Sequence, residues 1–416
     1  MNKHQKKWEN LARILKTQRK ASILAVLLLS VVIVVLFSLF LRTVKNRHQA
    51  ATNSLGAATS QTATICAVGD IAMNDDVLAA ARQPDGSYDF TSCFLQVASR
   101  LSPADLTIGN LELSFSGAPY GNPSAPDELA ESLKTVGFDL LQTANSKSIS
   151  GGVSGLRRTM DVLEAAGLDT LGTYASQEDF NRGSAVLKEI NGIRIAFLGF
   201  TKGFDGMSIP AGSEYCADVL YTDYDTVYSE IDEDAIRTAV DNAKSLNPDV
   251  IIAMVHWGSE NMLEMSDSQE DIASLMFGAG VDVILGSHSH IVGQMEYRTI
   301  TRDDDSEATV FLASNLGNFL GINGNAQESA ILNLTFEKNV ITDETTLADV
   351  NYVPVYLTTA DSTSHGQTLD IYQSMELYEA AYLDRVDDET YEKLPKAIER
   401  LQSNTNSEFD CGPNKP

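Results

Sequence analysis

Short apolar runs alternate with amphipathic helical patterns along most of the chain. The apolar runs predict strands near residues 63–68, 105–109, 138–143, 168–171, 193–199, 249–255, 281–285, 309–313, 329–336 and 348–356. Apolar residues at helical spacing predict helices near residues 91–101, 126–136, 154–166, 232–246 and 268–279. Strands that alternate with helices are typical of βαβ units and of a largely parallel sheet, so we predict an α/β fold.

Two features depart from this alternation. Asn191-Gly192 separates two apolar segments, Val186–Ile190 and Arg194–Leu198, which is a strong signal for a β-hairpin. Several predicted strands also follow residue 305 with few helices between them. A second, antiparallel sheet stacked on the first would accommodate both features.

The N-terminal segment has the composition of a membrane anchor. Ala21–Leu41 contains 21 residues without a charge, and as a helix at about 1.5 Å per residue it would span roughly 30 Å. Basic residues before it favour a cytoplasmic N-terminus. A cleaved signal peptide is the alternative, but its apolar stretch is shorter, and here Arg42 and Lys45 follow in place of a small-residue cleavage site. We predict an uncleaved transmembrane helix.

Charge is distributed unevenly along the chain. Residues 1–47 hold ten of the 30 Lys/Arg and one of the 57 Asp/Glu, so the remainder has 20 basic and 56 acidic residues. Nucleic-acid binding needs a basic surface, so we exclude it for this acidic region.

The four cysteines form no CxxC motif, which argues against a zinc ribbon or a thioredoxin-type motif. They could form up to two disulfides, or remain buried thiols, as the position of Cys66 in a predicted strand equally allows.

These patterns predict an organisation in five parts. They are a cytoplasmic basic tail (1–20), a transmembrane anchor (21–41), a flexible stalk (42–61), a folded domain (62–360), and a helical C-terminal subdomain with a tail (361–416).

Six side chains that can bind a metal lie at or just after the carboxyl ends of predicted strands: Asp70, Asn110, Glu112, His256, His288 and His290. In an open α/β sheet, ligands bind where these strand ends meet. Carboxylate, amide and imidazole groups suit one or two divalent transition metals. In an extended strand, His288 and His290 would point to one face. As alternatives, a strand histidine is often an ordinary polar residue, and Asp70 could cap the following helix.

Other common catalytic motifs are missing from the sequence. The chain has no G-x-S-x-G elbow, Walker A loop or GxGxxG fingerprint. Serine hydrolase, NTPase and dinucleotide-dependent functions therefore lack support.

Five short motifs in a fixed order point to one family. They are Gly69-Asp70, Gly109-Asn110-Leu111-Glu112, His256-Trp257-Gly258-Ser259-Glu260, Gly286-Ser287-His288-Ser289-His290 and Asn315-Leu316-Gly317-Asn318-Phe319. Through them, residues 63–320 resemble the CapA (PgsA) family, named for poly-γ-glutamate capsule synthesis. The domain of that family is similar to calcineurin-like metallophosphoesterases.

One motif departs from the family pattern. Where the family has Ala-Asn-Asn-His-x-x-Asp, this chain has Ala144-Asn145-Ser146-Lys147-Ser148-Ile149-Ser150. The resemblance implies that the second Asn of the family binds a metal and that its His protonates a leaving oxygen or steadies the transition state. Ser146 is a poorer ligand, and Lys147 cannot shuttle protons near neutral pH unless its pKa is strongly lowered. Its ammonium could instead neutralise carboxylate charge near one metal position. These substitutions favour one metal over the two that the resemblance implies.

The resemblance also implies a fold and a function. The fold would be a calcineurin-like metallophosphatase α/β/β/α sandwich behind one transmembrane helix, on the outer face of a bacterial plasma membrane. The function would be the synthesis, export or processing of an anionic envelope polymer such as poly-γ-glutamate, together with membrane-bound synthase subunits. A divalent ion of the Mn, Fe or Zn type, one or two per chain, would be the cofactor. Catalysis would involve Asp70, Glu112, Lys147 and His256. The alternative is a catalytically degenerate binding or assembly subunit, which Ser146, Lys147 and Ser150 favour.

Overall fold

The computed structural model describes residues 59–322, 324, 326–359, 367–382 and 386–413. The predicted cytoplasmic tail, transmembrane anchor and nearly all of the predicted stalk lie outside these residues. Among the residues that are described, no helix has the length and apolarity needed to cross a bilayer. From Gln61 onward the chain forms one compact unit.

The strands of the described residues occupy most of the predicted positions. In chain order they are β1 (Ser60–Ala72), β2 (Leu106–Glu112), β3 (Leu140–Gln142), β4 (Asp169–Leu171), β5 (Val186–Ile190), β6 (Ile193–Thr201), β7 (Val250–His256), β8 (Val283–Ser287), β9 (Met295–Thr301), β10 (Glu307–Ala313), β11 (Asn318–Leu320), β12 (Glu328–Asn339), β13 (Glu344–Leu357) and β14 (Thr368–Asp370).

The α-helices of the described residues are α1 (Asp75–Ala81), α2 (Thr91–Phe94), α3 (Ala98–Leu101), α4 (Glu128–Thr135), α5 (Gly152–Ala165), α6 (Gln177–Asn181), α7 (Glu233–Ser245), α8 (Asp267–Ala279), α9 (Ile371–Glu379) and α10 (Asp388–Asn404). The helix predicted over residues 91–101 is two short helices, α2 and α3. Polar side chains begin several of the longer helices. Asp232 caps α7, and Ser266 and Gln269 form a capping box at α8.

The strands form two sheets. The first has the order β14-β13-β12-β1-β2-β3-β4, with β11 also beside β1, and the second has the order β5-β6-β7-β8-β10-β9. The run β1-β2-β3-β4 is parallel in the first sheet, and β6-β7-β8-β10 is parallel in the second.

The predicted hairpin is confirmed, but its predicted place in a separate antiparallel sheet is wrong. Strands β5 and β6 pair in antiparallel fashion around Asn191 and Gly192, whose φ angles are 51° and 83°. Antiparallel strands occur in both sheets, as β12-β13-β14 in the first and as the edge strands β5 and β9 in the second. The physical reason is that a parallel strand at a sheet edge offers backbone hydrogen bonds to a neighbour of either direction.

The two sheets stack face to face between two layers of helices. Ile65 and Ile108 of the first sheet belong to the same buried cluster as Phe197 and Ile252 of the second. Helices α2 to α5 pack on the outer face of the first sheet, and α7 and α8 pack on the outer face of the second. This α/β/β/α arrangement agrees with the predicted sandwich architecture. Helices α9 and α10 contribute Ile371, Leu394 and Leu401 to the cluster that lies between the sheets.

All four cysteines are buried and occur as thiols, so the disulfide alternative is wrong for this structure. Burial raises the pKa of the Cys66 thiol to about 12, and burial also raises that of Cys93 to about 12. These side chains act as small apolar groups of the core.

Candidate metal site

The six predicted ligands converge at the carboxyl ends of the parallel strands. Strands β1 and β2 supply Asp70, Asn110 and Glu112, whereas β7 and the loop after β8 supply the three histidines. Each of the six residues is at most 2% exposed. The rings of His256 and His288 lie 4.4 Å apart between centroids, and those of His288 and His290 lie 6.1 Å apart. Residues distant in sequence therefore share one buried site.

Asp70 connects the two sheets through hydrogen bonds. Its Oδ1 accepts from Nδ2 of Asn110 at 2.8 Å, and its Oδ2 lies 3.0 Å from Nδ1 of His290. The same Oδ2 accepts from the backbone N–H of His288 at 3.3 Å. Asn74, and not Asp70, caps helix α1, so the capping alternative for Asp70 is wrong.

Two groups of side chains offer ligand atoms close enough for a metal ion. One group is Asp70, Glu112 and His290, and the other is Glu112, His256 and His288, with all ligand atoms of a group within 4.8 Å of one another. Glu112 belongs to both groups. A carboxylate in this position can bridge two ions, whereas the Ser146 and Lys147 substitutions favour one. The number of ions that bind stays a prediction.

Several buried ligand atoms have no hydrogen-bond partner among the residues that the structure describes. They are Oε2 of Glu112, Nε2 of His256 and Nδ1 of His288. The His256 Nε2 atom lies 3.8 Å from Oε1 of Glu112, beyond hydrogen-bonding distance. A buried polar atom without a partner costs about 1–3 kcal/mol. Coordination to a divalent metal would satisfy all three atoms, so the residues present fit such an ion.

The local backbone explains why the histidines point as they do. Strand β8 ends at Ser287, so the prediction that His288 and His290 share one face of an extended strand is wrong. Both residues lie in a loop with positive φ angles, 95° and 64°. This conformation is uncommon for residues other than glycine and is often found at functional sites. This backbone conformation directs the two imidazoles toward different ligand groups.

Glycine leaves room on each sheet for residues 314–317, the segment that links β10 to β11. A Cβ atom on Gly69 would lie 1.9 Å from the Gly317 carbonyl oxygen, and one on Gly286 would lie 1.9 Å from that of Ser314. Any side chain at these two positions would push this linking segment away from Gly69, which precedes Asp70, and from Gly286, which lies two residues before His288.

Burial and charge set the protonation of the site. Burial, reinforced by the charge of Asp70, raises the pKa of Glu112 to about 8. Burial lowers the pKa of His256 well below its usual value and that of His288 to about 2, so both imidazoles are neutral ligands. Burial opposes protonation of His290, but its hydrogen bond to Asp70, together with the negative charges of Asp70, Glu112 and Glu260, outweighs burial and raises the pKa to about 9.

The residues that depart from the family pattern lie beside the second group. Ser146 donates a hydrogen bond from Oγ to Oε1 of Glu112 at 3.0 Å. Lys147 pairs through its Nζ with the Asp205 carboxylate and not with Glu112. Asn145 donates to Oδ1 of Asn110 at 3.1 Å. The sequence predicted the Lys147 ammonium near one metal position. In the structure it lies at the rim of the site and not among the ligand atoms.

Sequence reasoning missed three residues around the site. Ser287 lies with its Oγ 3.1 Å from Nδ1 of His256, a contact that orients the ring so that Nε2 faces Glu112. Lys202 follows β6, and its backbone N–H donates to the His256 carbonyl at 2.8 Å. Asp205 lies three residues further along. The position of Lys202 at a strand end, next to a strand that carries a ligand, was the signal that could have identified it.

Four further residues lie outside the ligand groups, namely Trp257, Glu260, Arg157 and Arg158. Trp257 is buried and donates from Nε1 to the Ser314 carbonyl at 3.0 Å. Glu260 is exposed. Arg157 donates to the Tyr215 hydroxyl, and Arg158 pairs with Asp127, so neither arginine bonds to a ligand residue.

Comparison with known proteins agrees with these observations. The sequence model of the family described as bacterial capsule synthesis protein PGA_cap matches residues 64–322. The chain is 28% identical over 238 residues to the capsule biosynthesis protein CapA of Bacillus anthracis, which covers 55% of this chain and 54% of that protein. It is 30% identical over 218 residues to the PGA biosynthesis protein CapA of Bacillus subtilis (strain 168), which covers 51% and 50%. The chain thus spans about half the length of the curated relatives it matches.

Solved structures show only a distant similarity. A phosphatase from Mycoplasma pneumoniae has a TM-score of 0.42 and 13% identity, over 73% of this chain and 95% of that one. A protein from Thermus thermophilus has a TM-score of 0.34 and 10% identity, over 68% and 97%. Values this low support no conclusion about function.

Proposed function

Because the chain belongs to the bacterial capsule synthesis protein family PGA_cap, we propose that it acts on an anionic envelope polymer through a metal centre. Synthesis, export or processing of the polymer would be its role. Poly-γ-glutamate is the leading candidate, since the Bacillus subtilis relative is named for PGA biosynthesis.

The observation that carries this proposal is the set of buried, unpaired ligand atoms around Glu112. Asp70, Glu112 and His290 would hold one ion, and Glu112, His256 and His288 would hold a second if two bind. Nitrogen and oxygen ligands suit an ion of the Mn, Fe or Zn type. Such an ion lowers the pKa of a coordinated water toward 7, so that no protein nucleophile is needed.

The protein itself positions the ligands. Asp70 fixes His290 through the 3.0 Å contact, and Ser287 fixes His256 through the 3.1 Å contact. Ser146 holds the Glu112 carboxylate through the hydrogen bond from its hydroxyl. Contacts of this kind keep ligand geometry fixed while the substrate binds.

We base the proposed localisation on residues 1–47, and the proposed partners on the family. The uncharged stretch Ala21–Leu41 and the basic residues around it support a single membrane-spanning anchor with a cytoplasmic N-terminus. The folded domain would then face the outside of a bacterial cell. Membrane-bound polymer synthase subunits would be the partners.

A binding or assembly role without catalysis is the second candidate. The observation that favours it is the position of Lys147, which pairs with Asp205 where the family has a histidine. No imidazole of the described residues takes that place, so proton transfer to a leaving oxygen lacks its usual donor.

Metal analysis and activity assays on the purified full-length protein separate the two candidates. We expect bound metal in the wild type and a loss of metal in Asp70→Ala and His288→Ala. Turnover of a model phosphodiester or of γ-glutamyl polymer that disappears in both variants would establish an enzyme. Bound metal without turnover would favour the binding role. A wild type that binds no divalent metal would refute the metal centre.

Restoring the family pattern gives a second test. Combining Ser146→Asn with Lys147→His adds an amide ligand beside Glu112 and an imidazole at the rim. If the chain descends from an enzyme, this double variant should gain turnover. The matched control is Ser146→Ala with Lys147→Met, which adds neither group.

A further inference from the structure

Two lysines follow strands that pair with ligand-bearing strands, one in each sheet. Lys147 follows β3, which pairs with the Glu112 strand β2. Lys202 follows β6, which pairs with the His256 strand β7. Both lysines lie close enough to Glu112 for their charges to interact with its carboxylate, one from each sheet.

Lys202 has few partners for its charge. Its Nζ donates one hydrogen bond, to the Gly258 carbonyl at 2.7 Å, and lies 5.2 Å from the centre of the Tyr228 ring. Within the described part of the chain, no carboxylate comes within 4.0 Å of this nitrogen. An ammonium has three donors, so Lys202 keeps donors available for a ligand.

The Lys147 ammonium has a single partner among the described residues, the carboxylate of Asp205, which is exposed. Its side chain is 19% exposed, whereas that of Asp205 is 42% exposed. Asp205 and Gly206 lie at φ angles of 51° and 76°, in a tight turn closed by a bridge between Phe204 and Met207. This turn holds a carboxylate against Lys147 at the rim of the site.

We propose that Lys147 and Lys202 bind a carboxylate group of the substrate, and that Asp205 competes with that group for Lys147. The inference rests on the proposed function for the class of substrate, but not on a bound metal. The protein has a formal charge of −27, so an anionic polymer is repelled at long range. A local pair of cations beside the ligand groups gives such a polymer one favourable point of contact.

Calorimetric titration of the metal-stripped full-length protein with a short γ-glutamyl oligomer tests the proposal. Lys147→Met and Lys202→Met should each weaken binding about fivefold, the effect of losing one partly buried ion pair. Asp205→Asn should tighten binding about threefold, because it removes the competing charge. Lys147→Arg and Lys202→Arg should keep most of the affinity.

Matched controls are available elsewhere on the surface. Lys134→Met removes a lysine that pairs with Asp139 beyond the opposite end of β3. Asp343→Asn changes another exposed aspartate with a positive φ, 61°, that pairs with a lysine, Lys338, at 2.9 Å. Both controls should bind the oligomer as the wild type does. Equal effects of Asp205→Asn and Asp343→Asn would show a general charge effect and overturn the competition.

Further readouts separate this proposal from the metal centre. Unchanged affinity in both lysine variants would overturn the proposal even if metal binds normally. Weakened affinity in a protein that binds no metal would support it while the proposed function fails. Inorganic phosphate, titrated in parallel, should bind less tightly than the oligomer, and the reverse result would refute carboxylate recognition. If Lys202→Met does not fold, Asp205→Asn, which changes an exposed side chain, decides the outcome.

Discussion

Acidic side chains occur at both ends of the parallel strands, but their roles at the amino ends differ from those at the carboxyl ends. At the amino ends, an aspartate precedes or begins each of several strands: Asp105, Asp139, Asp169, Asp249 and Asp282. In four of these cases its carboxylate accepts a backbone hydrogen bond from the neighbouring strand, with donors at Thr64, Thr107, Arg194 and Ile251. Lys134, Lys188, Lys338 and Arg302 pair with four of the aspartates.

At the carboxyl ends, Asp70 and Glu112 are more deeply buried, and Glu112 is less completely paired. Glu112 has a buried oxygen without a hydrogen-bond partner, and nearby nitrogens of His256 and His288 also lack one. Folding therefore leaves polar atoms unsatisfied at one end and satisfies them at the other. The comparison teaches that aspartates which join neighbouring strands stabilise the fold. A buried carboxylate oxygen without a partner, beside imidazoles, instead indicates a site that binds a ligand.

The largest expected effect comes from the carboxylate shared by both ligand groups. Glu112→Gln should weaken metal binding at every occupied position at least about 100-fold, because a neutral amide replaces the bridging charge. Metal content per chain and metal titration provide the measurement. If two ions bind to the wild type and only one is lost, Glu112 does not bridge them.

The corresponding change at the amino ends should alter stability alone. Asp249→Ala leaves the Arg194 N–H and the Lys338 ammonium without this acceptor, so the free energy of unfolding should fall by about 1–3 kcal/mol. Chemical denaturation measures this loss, and metal content should not change. A loss of metal in this variant would contradict the separate roles of the two strand ends.

The pH dependence of the metal-free protein should sharpen the comparison. The folded pKa values of Glu112, about 8, and His290, about 9, are raised, so the folded state holds more protons than the unfolded state. Stability should fall as pH rises from about 6.5 to 8, by at most about 1.4 kcal/mol per pH unit for each group. Thermal unfolding at both pH values measures the fall, which Glu112→Gln should reduce.

The histidines with lowered pKa values act in the opposite direction and in a lower window. Because His256 and His288 stay neutral in the folded state, their contribution is lost as pH falls below about 6.5. Added metal should also reverse the trend above pH 6.5, since its ligands must be deprotonated to bind. A metal-free protein whose stability rises between about pH 6.5 and 8 would contradict the assigned protonation states.

The smallest effect concerns the hydroxyl that holds Glu112. Ser146→Ala removes one hydrogen bond to the carboxylate, so metal affinity should fall about fivefold, while the fold is kept. Competition with a metal-binding dye measures the change. A loss as large as that in Glu112→Gln would make Ser146 a direct ligand.

Sequence patterns alone identified the long strands and helices, and the six candidate ligand residues that the fold brings together. Strands such as β1, β7 and β12 contain enough apolar residues to show their period, and hydrophobic burial depends mainly on that period. Strands β11 and β14 have three residues each, too few to show one, and both were missed. The strand β9 and the short helices α1 and α6 were also missed.

What the tertiary structure decided is which polar groups find partners. The amino acid order places Lys147 after β3, but only the fold brings it to Asp205 and not to Glu112. Likewise, the spacing of His288 and His290 predicts a shared face, whereas their positive φ angles direct the rings to separate groups. The local period of apolar residues indicates where a strand ends, because this period depends only on neighbours along the chain. Pairing depends on atoms that folding brings together from distant segments, and so no local pattern encodes it.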